Sequence, residues 1–360
     1  MRAAVCRAFG EPLVIEEVTL DPPGPGEIEV AMAACAICHS DIHYAEGAWG
    51  GRLPAVYGHE AAGVVRAVGP AVSHLAPGDH VVVTLIRSCG RCPSCIRGAP
   101  VTCETRFPLD AKSPLRRPGG ERLTHGLRTG AFAQSIVVEA SQAVAIPQDI
   151  PLDSASLLAC GVITGFGAVV NTAQLRPGAT AAVIGAGGVG LNVVQGAAIA
   201  GASTIIALDL VPAKLEAARR FGATHTCGAA GGKAVEKVRA MTDGRGADYV
   251  FVAVGAKPAI EQALAMTARS GAVVLVGIPA DGVTVSFEPG EVASQNQRIL
   301  GSKMGGARIQ DDIPMLVTLH REGKLKLDEL ISGRYPLEQI NEAIASTKGG
   351  EALRNVIVFD

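Results

Sequence analysis

The stretch from Ala181 to Asp209 admits few folds. An apolar run, Ala181 to Ile184, leads into Gly185-Ala186-Gly187-Gly188-Val189-Gly190; an Ala- and Val-rich segment to Ala200 follows, then a second apolar run from Thr204 that ends at Asp209. This reads as strand, tight turn, helix and strand, a βαβ unit with glycines at the GxGxxG positions. The first glycine makes the turn, the second lets backbone approach a pyrophosphate, and the third brings helix against sheet. The helix N-terminus then offers unpaired N–H groups to the anion. Asp209 is placed to accept hydrogen bonds from an adenosine ribose, and it would repel a 2′-phosphate that Leu210 and Val211 cannot neutralise. The pattern favours NAD over NADP.

A membrane span competes for the same residues, because the mean hydropathy of the chain is +0.30. Asn192, Gln195, Ser203 and Thr204 interrupt the run before about 20 apolar residues accumulate, so it is expected to be core. Met1 to Pro12 carries Arg2, Arg7 and Glu11 and lacks an apolar stretch of signal-peptide length, which makes the cytoplasm the expected compartment. Lys plus Arg number 32 against 34 Asp plus Glu, a net charge of −2. No broad basic field is available for nucleic acid or anionic lipid.

With 360 residues the chain has room for two domains. Its texture changes accordingly. Short β-rich runs bounded by Gly or Pro come first, at Glu27–Ala31, Ala62–Val68, His80–Thr84 and Gln134–Val138. From about Val162, strands alternate with helical stretches, the mark of a parallel doubly wound sheet, with later strands expected at Tyr249–Val254 and Val273–Val276. The tail from about Met304 is mixed again and includes an expected helix at Asp311–Glu322.

Four of the nine cysteines, Cys89, Cys92, Cys95 and Cys103, lie close together in a Gly- and Pro-containing segment. Thiolates at this spacing can close a tetrahedral shell around Zn²⁺, leaving no position for substrate, so the expected ion is structural. A second set of ligand types is scattered: Cys38-His39-Ser40-Asp41-Ile42-His43, Gly58-His59-Glu60 and Cys160. Spacing alone does not join them, since buried thiols and loop histidines are ordinary. Cys6, Cys35 and Cys227 read as core or loop thiols, although Cys35 and Cys38 form a CxxC that could pair or exchange as ligands.

Taken together, Cys38-His39-Ser40-Asp41, Tyr57-Gly58-His59-Glu60, the four-cysteine segment, Leu158-Ala159-Cys160-Gly161-Val162-Ile163-Thr164-Gly165, the glycine turn with Asp209, and Gly305-Gly306 with Arg354 resemble the zinc-dependent alcohol dehydrogenases of the medium-chain dehydrogenase family. The likeness covers essentially the whole chain. It implies an α/β protein in which a GroES-like β-rich catalytic domain (1–161 and 304–360, structural zinc lobe about 88–104) is interrupted by a Rossmann NAD-binding domain (162–303).

The resemblance also implies site roles. Cys38, His59 and Cys160 would bind a catalytic zinc with its fourth position open, and Cys89, Cys92, Cys95 and Cys103 a structural one, giving two Zn²⁺ per subunit. Asp41 would orient His59, and Glu60 would lie close to the metal. Ser40 would take the alcohol proton and pass it through the nicotinamide ribose to His43. Thr164 and Val189 would hold the nicotinamide ring, Lys214 a ribose and Arg354 the pyrophosphate. His39 stands where many relatives place an arginine against the cofactor phosphates. Trp49, Leu85 and Leu127 resemble walls of the alcohol pocket, which suits primary, medium-chain or benzylic alcohols and their aldehydes. The segment from Glu104 to Gly130 resembles the insertion of dimeric forms, implying a homodimer joined through the Rossmann sheets. Two other readings are a dehydrogenase of S-(hydroxymethyl)thiols, against which Trp49 argues and for which Arg106 is retained, and a non-catalytic zinc- and nucleotide-binding sensor or crystallin-like protein, disfavoured by the intact ligand set.

Overall fold

The computed structural model describes residues 1–229, 232–350 and 352–360. It contains two compact units, Met1–Cys160 with Arg308–Asp360, and Gly161–Ala307.

The first unit is organised around the strand Glu27–Ala36. Ile28, Val30 and Met32 are buried while Glu29, Ala31 and Ala33 are not fully covered, the period-two alternation of a strand with one face on a core. The strand runs on to Ala36, past the stretch its β-propensity marks, because its alanines carry no β signal of their own while pairing holds them. It lies antiparallel to Glu60–Val68, Ser135–Glu139 and Arg354–Val358. The strand order on the main sheet is Ala143–Ala145, His80–Val83, Glu60–Val68, Glu27–Ala36, Arg354–Val358, Ile331–Pro336. Ala36 stands opposite Glu60 on one side and opposite Val356 on the other, so three segments distant in sequence end at one place. Beneath the sheet, Ile28, Val30, Val65, Val81, Val83 and Ile136 join one buried cluster, each contributing about 1.5–3 kcal/mol through burial.

In the second unit a six-stranded sheet has the order His225–Gly228, Thr204–Asp209, Thr180–Ile184, Ala247–Val252, Thr267–Leu275, Arg298–Gly301. Every neighbouring pair in it is parallel. Strands from the two halves of the unit meet between Thr180–Ile184 and Ala247–Val252, the switch point at which such sheets receive ligands. The hydropathic stretch that resembled a span is the strand Thr180–Ile184, the helix Gly188–Ile199 and the strand Thr204–Asp209. Both strands are buried on two faces, which explains their unbroken apolar character. Among the described residues no single helix is long and apolar enough to cross a membrane. The expected tail helix is Ile309–Arg321 and starts ahead of Asp311, where Asp312 Oδ2 accepts the Arg308 N–H (2.9 Å).

Candidate active site

Strand register creates the first cluster. Glu27–Ala36 ends just before Cys38, and the pairing of Ala36 with Glu60 sets Cys38 beside His59. Cys38 caps the short helix His39–Ala45. The segment Leu157–Ala159 delivers Cys160 to the same place. The ligand atoms of Cys38, His59, Glu60 and Cys160 all lie within 4.8 Å of one another, and all four residues are buried.

Asp41 fixes this geometry. Its Oδ1 accepts from the Gly58 N–H (2.9 Å) and pairs with His59 Nδ1 (2.9 Å), and its Oδ2 accepts from the Cys38 N–H (3.1 Å). With Nδ1 bound to the carboxylate, Nε2 is turned toward the thiols and has no hydrogen-bond partner although it is buried. Gly58 is obligatory here: φ is +94°, and a Cβ would lie 2.6 Å from the Phe132 nitrogen. An unsatisfied buried ring nitrogen beside two thiols is costly without an occupant. Two cysteines and a histidine are also the donor set of a catalytic zinc, so the residues fit the ion.

The groups of the cluster bear strongly on one another's ionisation. A hydrogen bond from Cys160 holds Cys38 well below the ordinary thiol range, and the same bond pushes Cys160 up. Burial opposes charge on His59, but the Asp41 carboxylate keeps its pKa above the usual imidazole value. Burial raises Glu60 to about 8 against the pull of Arg354. Arg354 Nη2 is 2.9 Å from Glu60 Oε1, and Nη1 donates to the Ile37 carbonyl (3.2 Å). Arg354 is thus set against the metal cluster, a neighbourhood that its expected contact with a pyrophosphate does not anticipate.

On the same helix, Ser40 and His43 stand one turn apart, with His39 exposed and Ser40 and His43 half-buried. The His43 ring lies 4.9 Å from Trp49 and 6.5 Å from His39, and Trp49 meets Tyr44 edge-on at 5.3 Å. Leu85 and Leu127, in the same unit, are half-buried. Cys35 is buried in its strand and stands outside the ligand group; Cys6 and Cys227 are likewise core thiols.

Cys89, Cys92, Cys95 and Cys103 bring their sulfurs within 4.8 Å of one another in a half-exposed lobe. Backbone N–H groups aim at them: Cys92 to Cys89 Sγ (3.3 Å), and Cys95 and Glu104 to Cys92 Sγ (3.5 Å each). Hydrogen bonds, first from Thr105, bring Cys89 down to about 6. Four convergent thiols fit a closed zinc shell.

In the second unit the turn before Gly188–Ile199 has the geometry its sequence implies. Gly185 takes φ +94°, and a Cβ on Gly190 would stand 1.7 Å from the Gly185 carbonyl oxygen, so the helix closes onto the turn only through glycine. Nothing lies within 4 Å of the place a Gly187 Cβ would fill, which leaves a cradle at the helix N-terminus fit for a phosphate. Asp209 Oδ2 accepts from the Ala186 N–H (2.7 Å) and Oδ1 from the Val211 N–H (2.9 Å). Its carboxylate is therefore held beside the turn with acceptor capacity to spare. Thr164 donates to the thioether of Met304 (3.7 Å); Val189 opens the helix and Lys214 lies half-buried on Pro212–Arg220.

Sequence reasoning missed one charged residue of the first unit, Arg87, which no motif marks and which is buried.

Comparison with known proteins agrees with this geometry. Residues 24–148 match the alcohol dehydrogenase GroES-like domain and residues 188–320 the zinc-binding dehydrogenase family. The chain is 37% identical over 368 residues to a putative alcohol dehydrogenase D of Mycobacterium tuberculosis, covering 99% of each. It is 36% identical to an NDMA-dependent alcohol dehydrogenase of Amycolatopsis methanolica, over 99% of this chain and 98% of that one. The crystal structure of a benzyl alcohol dehydrogenase from Acinetobacter calcoaceticus superposes with a TM-score of 0.94 at 29% identity, covering 100% of this chain and 99% of that one. With a GroES-like unit, a parallel Rossmann-type sheet and two thiol clusters suited to zinc, the chain belongs to the zinc-type medium-chain alcohol dehydrogenases.

Proposed function

We propose that this alcohol dehydrogenase interconverts primary, medium-chain or benzylic, alcohols and aldehydes with NAD, using one catalytic and one structural zinc per subunit. The observation that carries the proposal is the buried, unpartnered Nε2 of His59, turned by Asp41 toward Cys38 and Cys160. Cys38, His59 and Cys160 would hold the catalytic ion, and Cys89, Cys92, Cys95 and Cys103 the structural one. Zinc supplies Lewis acidity that lowers the pKa of an alcohol hydroxyl, and NAD supplies the hydride acceptor.

The chain's own residues do the rest. Asp41 keeps the proton on His59 Nδ1, so that Nε2 presents its lone pair. Arg354 balances the buried Glu60. Ser40 accepts the alcohol proton, and His43, one helical turn on and half-exposed, releases it to solvent. Trp49 packs on His43 and, with Leu85 and Leu127, gives the substrate an apolar wall. Gly185, Gly187, Gly188 and Gly190 leave room for the pyrophosphate at the helix N-terminus. Asp209 selects the free ribose hydroxyls of NAD, Lys214 adds a ribose contact, and Thr164 and Val189 bear on the nicotinamide.

The reading includes a homodimer built through the second unit. Its edge strand Arg298–Gly301 pairs on one side only among the described residues, and Ile299, Ile278, Val285 and Phe287 are exposed near it in sequence.

Absorbance of NADH over ethanol, hexanol, benzyl alcohol and formaldehyde, each with and without added thiol, tests the function. Hexanol and benzyl alcohol should turn over without thiol and with kcat/KM above that of ethanol. Reduction confined to formaldehyde plus thiol would favour the S-(hydroxymethyl)thiol reading; no reduction of NAD in any of these mixtures would overturn both.

A further inference from the structure

Arg87 is 1% exposed. Its Nε donates to Gln142 Oε1 (2.9 Å), Nη1 to Asp110 Oδ1 (2.5 Å) and Nη2 to the Arg128 carbonyl (3.3 Å), while Phe107 faces the guanidinium at 5.6 Å. Gln142 closes the network: its Nε2 donates to the Thr84 carbonyl (2.7 Å) and again to the Arg128 carbonyl (3.1 Å). Burying a guanidinium is expensive unless it is hydrogen-bonded, and a network that bonds all three of its nitrogens rigidifies what it touches.

What it touches is a strained segment. Leu127 and Arg128, neither of them glycine, take φ of 51° and 64°, the left-handed region that side chains disfavour. Two donors converge on the Arg128 carbonyl, Thr129 Oγ1 donates to the Leu127 carbonyl (2.9 Å), and the His125 ring binds the Thr129 carbonyl (2.7 Å). The other end of the network holds the residue before Leu85: the Thr84 carbonyl is bonded by Gln142, and Thr84 Oγ1 accepts the Ile86 N–H (3.0 Å). Leu85 and Leu127 therefore hang from one buried hub, although they are distant in sequence.

We infer that Arg87 is a specificity-determining positioning residue: through Gln142 and the Arg128 carbonyl it fixes the left-handed Leu127 and the turn at Leu85, and so sets the shape of the alcohol pocket. The inference rests on the reading of Leu85 and Leu127 as pocket walls. Arg87 touches no reacting atom; it acts by holding backbone that would otherwise relax to negative φ. Small displacements of a wall change large substrates more than small ones.

The test compares benzyl alcohol with ethanol in Arg87→Lys, which keeps the charge toward Asp110 but cannot span Gln142 and Arg128 together. The ratio of kcat/KM for benzyl alcohol over ethanol should fall about tenfold, chiefly through KM for benzyl alcohol, with KM for NAD held within about twofold. Thr129→Val, which takes the hydroxyl from the Leu127 carbonyl, should move the ratio in the same direction, and it decides the matter if the lysine variant does not fold. Leu127→Ala tests the underlying reading. If it shifts the ratio while Arg87→Lys and Thr129→Val do not, or if these lower both alcohols equally, the inference fails and the wall reading stands. If Leu127→Ala leaves the ratio unchanged, both fall.

Discussion

The two thiol clusters differ in how the chain makes them. Cys89, Cys92, Cys95 and Cys103 come from one short lobe, half-exposed and supported by the lobe's own N–H groups. Cys38, His59 and Cys160 come from three distant segments, and they meet only because a sheet is in register and Asp41 holds the ring. The first cluster is local and the second is a product of tertiary structure. A local site can stabilise what surrounds it, whereas an assembled site must be stabilised by its surroundings, which leaves it free to keep a position open for chemistry.

This contrast can be broken by mutation. The largest effect is expected from His59→Ala, which should lower kcat for alcohol oxidation by at least about 10⁴-fold, since Lewis-acid assistance is worth several kcal/mol. Metal analysis should show one zinc lost and the other kept. Loss of both, or retained turnover, would mean that the clusters are not independent or that the buried one is not catalytic. Cys92→Ser should do the reverse, lowering the thermal midpoint by about 5–10 °C through loss of the lobe's ion. A calorimetric midpoint equal to that of wild type would deny the lobe its structural role.

Asp41→Asn sharpens the comparison, because it leaves all three ligands in place. Loss of the carboxylate should weaken zinc affinity or activity by about 10- to 100-fold, read by competition with a chelator; an unchanged affinity would show that backbone alone orients His59. The smallest effect concerns the sheet that supports the assembled site. Burial raises Glu139, opposite Glu27 in the register, to about 7 from an ordinary 4.5. The folded pKa lies above the unfolded one, so the neutral acid favours the fold, with full benefit below about pH 4.5 and loss as pH rises through 7. Glu139→Gln should therefore gain about 1–2 kcal/mol on wild type between pH 5 and 7 in denaturant titrations. Parallel curves would show that ionising Glu139 costs the fold nothing.

The same contrast governs what could be read from sequence. The glycine turn and its Asp209 were legible because a βαβ unit is contiguous and each glycine answers a local demand, as the Gly190 contact with the Gly185 carbonyl shows. The four-cysteine lobe was legible for the same reason. Cys38, His59 and Cys160 were joined only by family resemblance, since what unites them is the pairing of Ala36 with Glu60, invisible in spacing. Arg354 found Glu60 through the pairing of the tail strand with Glu27–Ala36, which no local pattern announces. Arg87 left no signal at all, because an arginine beside a polar lobe reads as solvated until its burial is seen. Strand limits also moved: Glu27–Ala36 continues through alanines that only pairing makes extended.

The position of Arg354 bears on how the molecule is made. Glu60 is sealed in the core among residues synthesised early, and the cation beside it arrives on a strand that pairs with Ala34–Ala36 only after everything between has been translated. Until then a nascent chain holds either an exposed pocket or an uncompensated buried acid, and the second is strongly disfavoured. The pocket around Glu60 should thus be among the last parts of the first unit to close, waiting on the strand that carries Arg354.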